Sequence, residues 1–338
     1  MNRNISRHRF TVATAATFVT ISIVKAPAKA AQFDYNYAHN LPTTHPLHIR
    51  MVQCWDAVKK ETNGRLVVAT LPNSQLGGDV AVLTQLRSGA VQFFTLDGGI
   101  LQGVVPIAAI QSIGFAFKDD AEGFRAFDGP LGDYTRKSIR DADFYVHPKI
   151  WGNGMRQITS SKGPIRTVAD LAGFKIRTPP GALWVDLFKS LGASPSAINF
   201  NEVYTSLQTR IVDGQENPFA LIDSARLYEV QKYVSETNHM WSAFHLLGNT
   251  DAWKALPPDV QGIVDRNLTK YALLQRQDNE RLNTSLVADL VTKGMILNRA
   301  DAKSFRSRLS ESGFYQTWKD KFGAQAWALL ESNSGKLT

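Results

Sequence analysis

Two arginines stand where strands of this 338-residue chain should begin or end, and either could grip a carboxylate. Arg177 closes the apolar run "FKIRTPPG" (174–181), just before Thr178, Pro179 and Pro180. Arg156 opens "MRQITS". A guanidinium is a planar fork of N–H donors that matches the two oxygens of a carboxylate. Other polar and aromatic residues fall at similar places. Asn40 follows the first strand-like run, Asp97 the third, and Phe200 the run "SAIN", while Asn217 lies in "DGQENP". In open α/β sheets, ligands bind beyond the carboxyl ends of strands. A second role stays open: Arg177 could pair with Asp186 or Glu202 and serve the fold alone.

Motifs for bond-breaking chemistry are missing. The chain has no GxSxG elbow, no HExxH, no GxxxxGK[ST] and no GxGxxG. "WGNGMRQ" supplies Gly152 and Gly154 without a third glycine. His45 and His48 share a first helical turn but have no cysteine or carboxylate cluster nearby, so they read as capping or solvated residues rather than zinc ligands. The single cysteine, Cys54, sits between Met51 and Trp55 in a helical pattern and reads as a small buried hydrophobe. It excludes an internal disulfide. No cofactor and no metal are expected.

The elements that must position the polar residues alternate along the chain. "FDYNYAH", "RLVVATLP" and "VQFFTLDGG" read as strands. Between them lie a helix that Thr44 caps, with Pro46 in its first turn and Gly64 as its stop, and the helix "DVAVLTQLRSG" ending at Gly89. "FYVHPKIWG", "MRQITSS", "FKIRTP" and "SAINF" continue the strand series, "GALWVDLFKSLG" and "NEVYTSLQT" are helices, and "IVDGQENP" reads as a turn-rich crossing. Such alternation predicts an α/β fold with largely parallel sheets. Residues 257–294 contain no breaker except Gly262, so they predict one helix of roughly 54 Å, longer than a lobe is wide.

The first thirty residues stand apart. They hold Arg3, Arg7, Arg9, Lys25 and Lys29, no acid, an apolar run from Phe10 to Val24, and "APAKAAQ" with Ala28 and Ala30 at small-residue cleavage positions. This is the pattern of a secretory signal, with the mature chain starting near Ala31. The apolar run is shorter than the roughly 20 residues that span a bilayer. With those five bases set aside, the remaining charge falls from +8 to +3, and no basic cluster suggests nucleic acid.

The long stretch "DLAGFKIRTPPGALWVDLFKSLGASPSAINFNEVYTSLQTRIVDGQENPFALI" (170–222) closely resembles the solute-binding proteins of tripartite ATP-independent periplasmic (TRAP) transporters, of the C4-dicarboxylate-binding type. "AHNLPTTHP" (38–46), "LPNSQLGGD" (71–79) and "TNHMWSAFHLLGNTDAWKALPPDVQ" (237–261) extend the likeness over nearly all of residues 31–338. The resemblance implies a two-lobe periplasmic-binding-protein-like α/β fold with central mixed sheets, an interlobe cleft and a long C-terminal helix spanning both lobes. Lobe I would take residues 31–154 and about 243–282, lobe II residues 155–242 and about 283–338. The family's carboxylate-gripping arginine falls on Arg177, its second arginine on Arg156, its asparagine on Asn217 and its ligand-packing aromatic on Phe200. Asn40 and Asp97 match positions that contact ligand in sialic-acid-binding members, with Asp97 replacing a glutamate.

A periplasmic monomer of a Gram-negative cell, docking transiently on TRAP membrane subunits and not itself an enzyme, is then expected. Trp184 and Trp241 are further candidates for the lining, although Trp184 could equally face Phe188 in the core. If the cleft belonged instead to a secreted enzyme, Asp97 or His39 would be its base. A sensor using the same cleft is a further alternative. The favoured ligand is a 2-oxo or 2-hydroxy monocarboxylate with an apolar or aromatic substituent. A dicarboxylate, with Arg156 taking the second carboxylate, or a sugar acid are the alternatives.

Overall fold

The computed structural model describes residues 31–337, so the expected signal segment lies outside the described residues. Ten strands appear in chain order: β1 (Phe33–Ala38), β2 (Leu66–Leu71), β3 (Phe93–Asp97), β4 (Phe144–Val146), β5 (Trp151–Ser160), β6 (Lys175–Thr178), β7 (Ser194–Ala197), β8 (Gly214–Asn217), β9 (Tyr233–Asn249) and β10 (Ile296–Arg299). They join in the order β2-β1-β3-β9-β5-β8-β6-β7, with β4 and β10 added to the two ends of β9.

The trios β2-β1-β3 and β8-β6-β7 are internally parallel. The two long strands between them, β9 and β5, run antiparallel to each other and to their neighbours β3 and β8. The sheet is therefore mixed rather than largely parallel. The reason is visible in β9: thirteen of its seventeen residues are buried, including ten in a row, so it is covered on both faces and threads from one parallel half into the other. β5 and β9 lose register at two places. At the first, Gly154 takes φ +117°, which a residue with a side chain rarely adopts. At the second, the four residues 236–239 of β9 bulge opposite Gln157 alone. The Gln157 amide pins the bulge by donating to Asn238 Oδ1 (2.6 Å) and accepting from the Asn238 N–H (3.1 Å).

Three local expectations change. The helix Pro46–Glu61 is capped by His45, whose Nδ1 accepts the Leu47 N–H at 3.2 Å, and not by Thr44. "SAIN" contributes only its start to β7, and Phe200 opens a 3₁₀ turn instead of ending a strand. "DGQENP", read as a turn because it is short and polar, contains the fully buried strand β8. It is stable there because its polar side chains are paired: Gln215 Nε2 donates to Thr159 Oγ1 at 3.0 Å, and Glu216 and Asn217 meet Arg156.

The long helix is one element, Pro258–Thr292. Its N-terminal half buries Val260, Val264, Leu268 and Ala272 against Met51, Trp55 and Tyr37. Its C-terminal half buries Leu286 and Leu290 with Val203, Leu207 and Ile222. One helix thus helps build two separate cores, one beside each parallel half. Between them, Gln275 exchanges two 2.8 Å hydrogen bonds with the backbone of Gly152 on β5. Cys54 is buried in the first core, as its neighbours imply. Among the described residues, no helix is long and apolar enough to cross a membrane.

Candidate functional site

The ends of β1, β3, β6 and β8 converge on one cavity. Asn40, Asp97, Arg177 and Asn217 reach it from those four strand ends, joined by Arg156 from β5, Trp184, Phe200 and Asp79. The free space among these side chains is only about 30 Å³.

Arg177 is 2% exposed. Its Nε donates to the Ile198 carbonyl at 2.9 Å, and its Cζ lies 5.9 Å from the centre of the Phe200 ring. Among the described residues no carboxylate stands within ion-pair distance of it. Asp186 pairs with Lys321 at 3.1 Å instead, and Glu202 accepts from Asn199 at 3.5 Å. Burial pulls the Arg177 pKa down to about 9, partly offset by the negative field of Glu216, Asp79 and Glu202. It stays charged at neutral pH, with its two terminal nitrogens free of any ion pair. The expected ion pair with Asp186 or Glu202 does not form.

Arg156 has the opposite character. Its Nε and Nη2 form a fork on the Glu216 carboxylate (Nη2–Oε1 2.7 Å), Nη2 also donates to Asn217 Oδ1 at 3.0 Å, and Nη1 donates to Ser242 Oγ at 3.2 Å. Burial pushes the Glu216 carboxyl up, but Arg156 and the His239 hydrogen bond (3.2 Å) outweigh it and hold the carboxyl below the ordinary glutamate range. The charge of Arg156 is therefore already answered inside the protein. Asn217 is likewise committed, its Nδ2 donating to Gln215 Oε1 at 2.5 Å.

Two acids complete the wall. Asp97 accepts from Ser242 Oγ at 2.6 Å and caps the turn Gly98–Leu101 through the Gly99 N–H at 2.8 Å. Both its oxygens are occupied, and burial raises its pKa. Asp79 is 3% exposed and accepts from Asn40 Nδ2 at 2.9 Å. Trp184 serves core and cavity together. It packs with Leu187 and Phe188, and its ring edge lies over Gly99, where a Cβ would come within 2.2 Å.

Two of the expected lining residues are elsewhere. Trp241 points to the opposite face of β9, among Phe117, Phe124 and Phe127, with its indole N–H on Asp120 at 2.9 Å. Its neighbour Ser242 takes the cavity side, because successive strand residues face opposite ways. His39 turns away at the end of β1. Its Nδ1 accepts the Leu41 N–H at 3.1 Å and its Nε2 meets His48 Nδ1 at 3.0 Å. Burial drives its pKa down to about 3, which leaves it no use as a base. Sequence reasoning missed Asp79, Glu216 and Ser242. The one available signal was position: Asp79 opens a helix after "GG", and Glu216 adjoins Asn217.

An α/β fold in two halves, sharing long crossing strands and meeting over a cavity with one unpaired buried cation, defines a binding protein of the two-lobe periplasmic type. The chain belongs to the bacterial extracellular solute-binding proteins of family 7 (DctP), whose model matches residues 37–318. A solute-binding protein of Roseobacter denitrificans is 32% identical over 303 residues, covering 88% of this chain and 91% of that one. Its crystal structure, with bound L-galactonate, matches at TM-score 0.83 over 90% of this chain and 99% of that one, at 29% identity. A TRAP periplasmic solute-binding protein of Polaromonas sp. JS666, bound to D-erythronate, matches at TM-score 0.85 and 27% identity, covering 90% of this chain and all of that one. A protein of Sinorhizobium fredii is 34% identical over 265 residues, and this chain spans about half (49%) of that protein's length. The protein is thus a TRAP-type solute-binding protein and not an enzyme.

Proposed function

We propose that the protein closes on a small organic acid through Arg177 and delivers it from the periplasm to the membrane subunits of a TRAP transporter. The unpaired, buried guanidinium of Arg177 carries this reading. A charge kept out of water without a partner is costly, and a ligand carboxylate supplies that partner. The ligand we favour is a 2-oxo or 2-hydroxy monocarboxylate. The oxygen beside its carboxylate would take a donor at the Arg156–Asn217 end of the cavity, with Phe200, Ile100 and Leu221 covering an apolar tail. Sugar acids are a second reading, favoured by the L-galactonate and D-erythronate bound to two relatives. A dicarboxylate is supported less, since Arg156 is already taken by Glu216.

A thermal screen tests the reading. Saturation at about a hundredfold over Kd adds about 2.7 kcal/mol. At about 2 °C per kcal/mol for a chain of this size, that is a shift of about 5 °C. Free carboxylates are expected to shift the melt, while their methyl esters and amides are not, because an ester leaves Arg177 without a counter-charge. Neutral sugars or amines shifting the melt, with no carboxylate doing so, would refute the clamp.

Closure follows from the same geometry. A cavity of about 30 Å³ is far below the roughly 300 Å³ at which ligand pockets begin, so the walls must part to admit a solute. We propose that lobe I (31–154 and about 243–282) and lobe II (155–242 and about 283–338) move as the two bodies. Small-angle scattering should give a radius of gyration that contracts when the best-shifting acid of the screen is added at saturation. An identical radius with and without that acid would count against a closing cleft.

A further inference from the structure

The cavity is lined by two guanidiniums, Arg156 and Arg177, and two carboxylates, Asp79 and Asp97, with a third carboxylate, Glu216, paired to Arg156 behind the wall. They are not equivalent. Glu216 is matched by Arg156, and Asp97 is held by the Ser242 hydroxyl and the Gly99 N–H. Asp79 has only the neutral amide of Asn40, and no cation lies within ion-pair distance of it among the described residues. It enters from the first residue of the helix Asp79–Ser88, with Asn40 after β1, Asp97 at the end of β3 and Arg177 on β6 as the polar and charged groups around it. Once a ligand carboxylate has taken Arg177, no unanswered positive charge is left in the cavity, while the carboxylates of Asp79 and Asp97 remain in its wall.

We infer that Asp79 sets the charge of the ligand: one carboxylate is accepted at Arg177, and a second is rejected by the carboxylate of Asp79. This rests on the Arg177 reading above and goes past it, because it names the residue that separates monoacids from diacids. The physical basis is like-charge repulsion beside a buried carboxylate, 3% exposed, where screening is weak. Hydroxyl groups at the same end of the ligand are tolerated, since they donate to Asp79. Burial holds the Asp79 carboxyl at about 6, well above its ordinary value, so the barrier should fade as the medium becomes mildly acidic and Asp79 takes up a proton.

The test uses matched probes that differ only in the terminal group: D-erythronate against meso-tartrate, and L-galactonate against galactarate. Calorimetric titration of the wild type should favour the monoacid of a pair by at least about tenfold. Asp79→Asn keeps the shape and the Asn40 contact, and should bring the ratio close to one by strengthening the diacid. In the wild type, diacid affinity should improve several-fold from about pH 8 to about pH 6, a range in which ordinary carboxylic acids stay ionised. In Asp79→Asn it should stay flat. The wild-type pH series keeps the test valid if the variant misfolds. Diacids binding the wild type as well as monoacids do, or a ratio unmoved by both Asp79→Asn and pH, would overturn the inference and leave the Arg177 clamp intact. Binding that survives Arg177→Ala would take down the clamp and the inference with it.

Discussion

Arg177→Ala is expected to cost about 2–5 kcal/mol of ligand binding while leaving the protein folded. The size follows from burial. The ligand carboxylate would enter a space closed to water and lose its only cation, and an unpaired buried anion is far costlier than one at the surface. Folding should survive because Arg177 forms no ion pair within the protein, and its one hydrogen bond in the structure, to the Ile198 carbonyl, is made by Nε. Arg177→Lys should not restore affinity. An ammonium is a point charge and cannot present two parallel N–H groups to one carboxylate, nor keep the Nε bond to Ile198 that fixes the fork. Calorimetry on the three proteins, with the best-shifting acid of the thermal screen, measures this. Wild-type affinity in Arg177→Lys would rule out the bidentate role. Unfolding of Arg177→Ala would show that this arginine serves the fold.

Glu216→Ala should do the reverse and damage stability first. The substitution strands the Arg156 guanidinium, whose side chain is 3% exposed, and removes the carboxylate that His239 also contacts. Breaking a buried pair by deleting one partner costs about 3–5 kcal/mol, which for a chain of this size is a fall of about 6–10 °C in melting temperature. Replacing both partners with apolar residues, as in Arg156→Met with Glu216→Leu, should cost less than either single change, since no charge is then left stranded. The folded-state pKa of Glu216 is depressed, so the stability it supplies is present at neutral pH and is lost as the pH falls through the acid range. A melting point for Glu216→Ala within about 2 °C of the wild type would show that Arg156 finds other compensation.

These two arginines mark the limit of what could be read from the sequence. Both were read as residues at strand ends, although Arg156 in fact lies in the middle of β5, which begins at Trp151, and both looked available to a carboxylate. Only the pairing of β5 with β8 brings Glu216 beside Arg156, sixty positions away in the chain, and removes that arginine's charge from use. Nothing local to "MRQITS" announces this, and the segment that carries Glu216 was read as a turn because a buried polar strand violates the hydrophobic pattern from which strands are inferred.

Local chemistry was enough elsewhere. Apolar alternation, with glycine stops and early-turn prolines, placed β1, β2, β3 and the first two helices, because those signals act within a few residues. The absence of any breaker but Gly262 between Pro258 and Gly294 pointed to one long helix. The strand end followed by two prolines required Arg177 to sit where the chain leaves the sheet. What these rules could not decide is facing and partnership. Ser242, not Trp241, takes the cavity side of β9, where its hydroxyl meets Arg156 and Asp97, because alternation along a strand is fixed by period but its phase is fixed by the neighbouring strands. The composition and spacing of this protein therefore determined most of its elements and the address of Arg177. Which charges are answered inside the fold, and so which remain for a ligand, was decided by strand pairing between residues far apart in the chain.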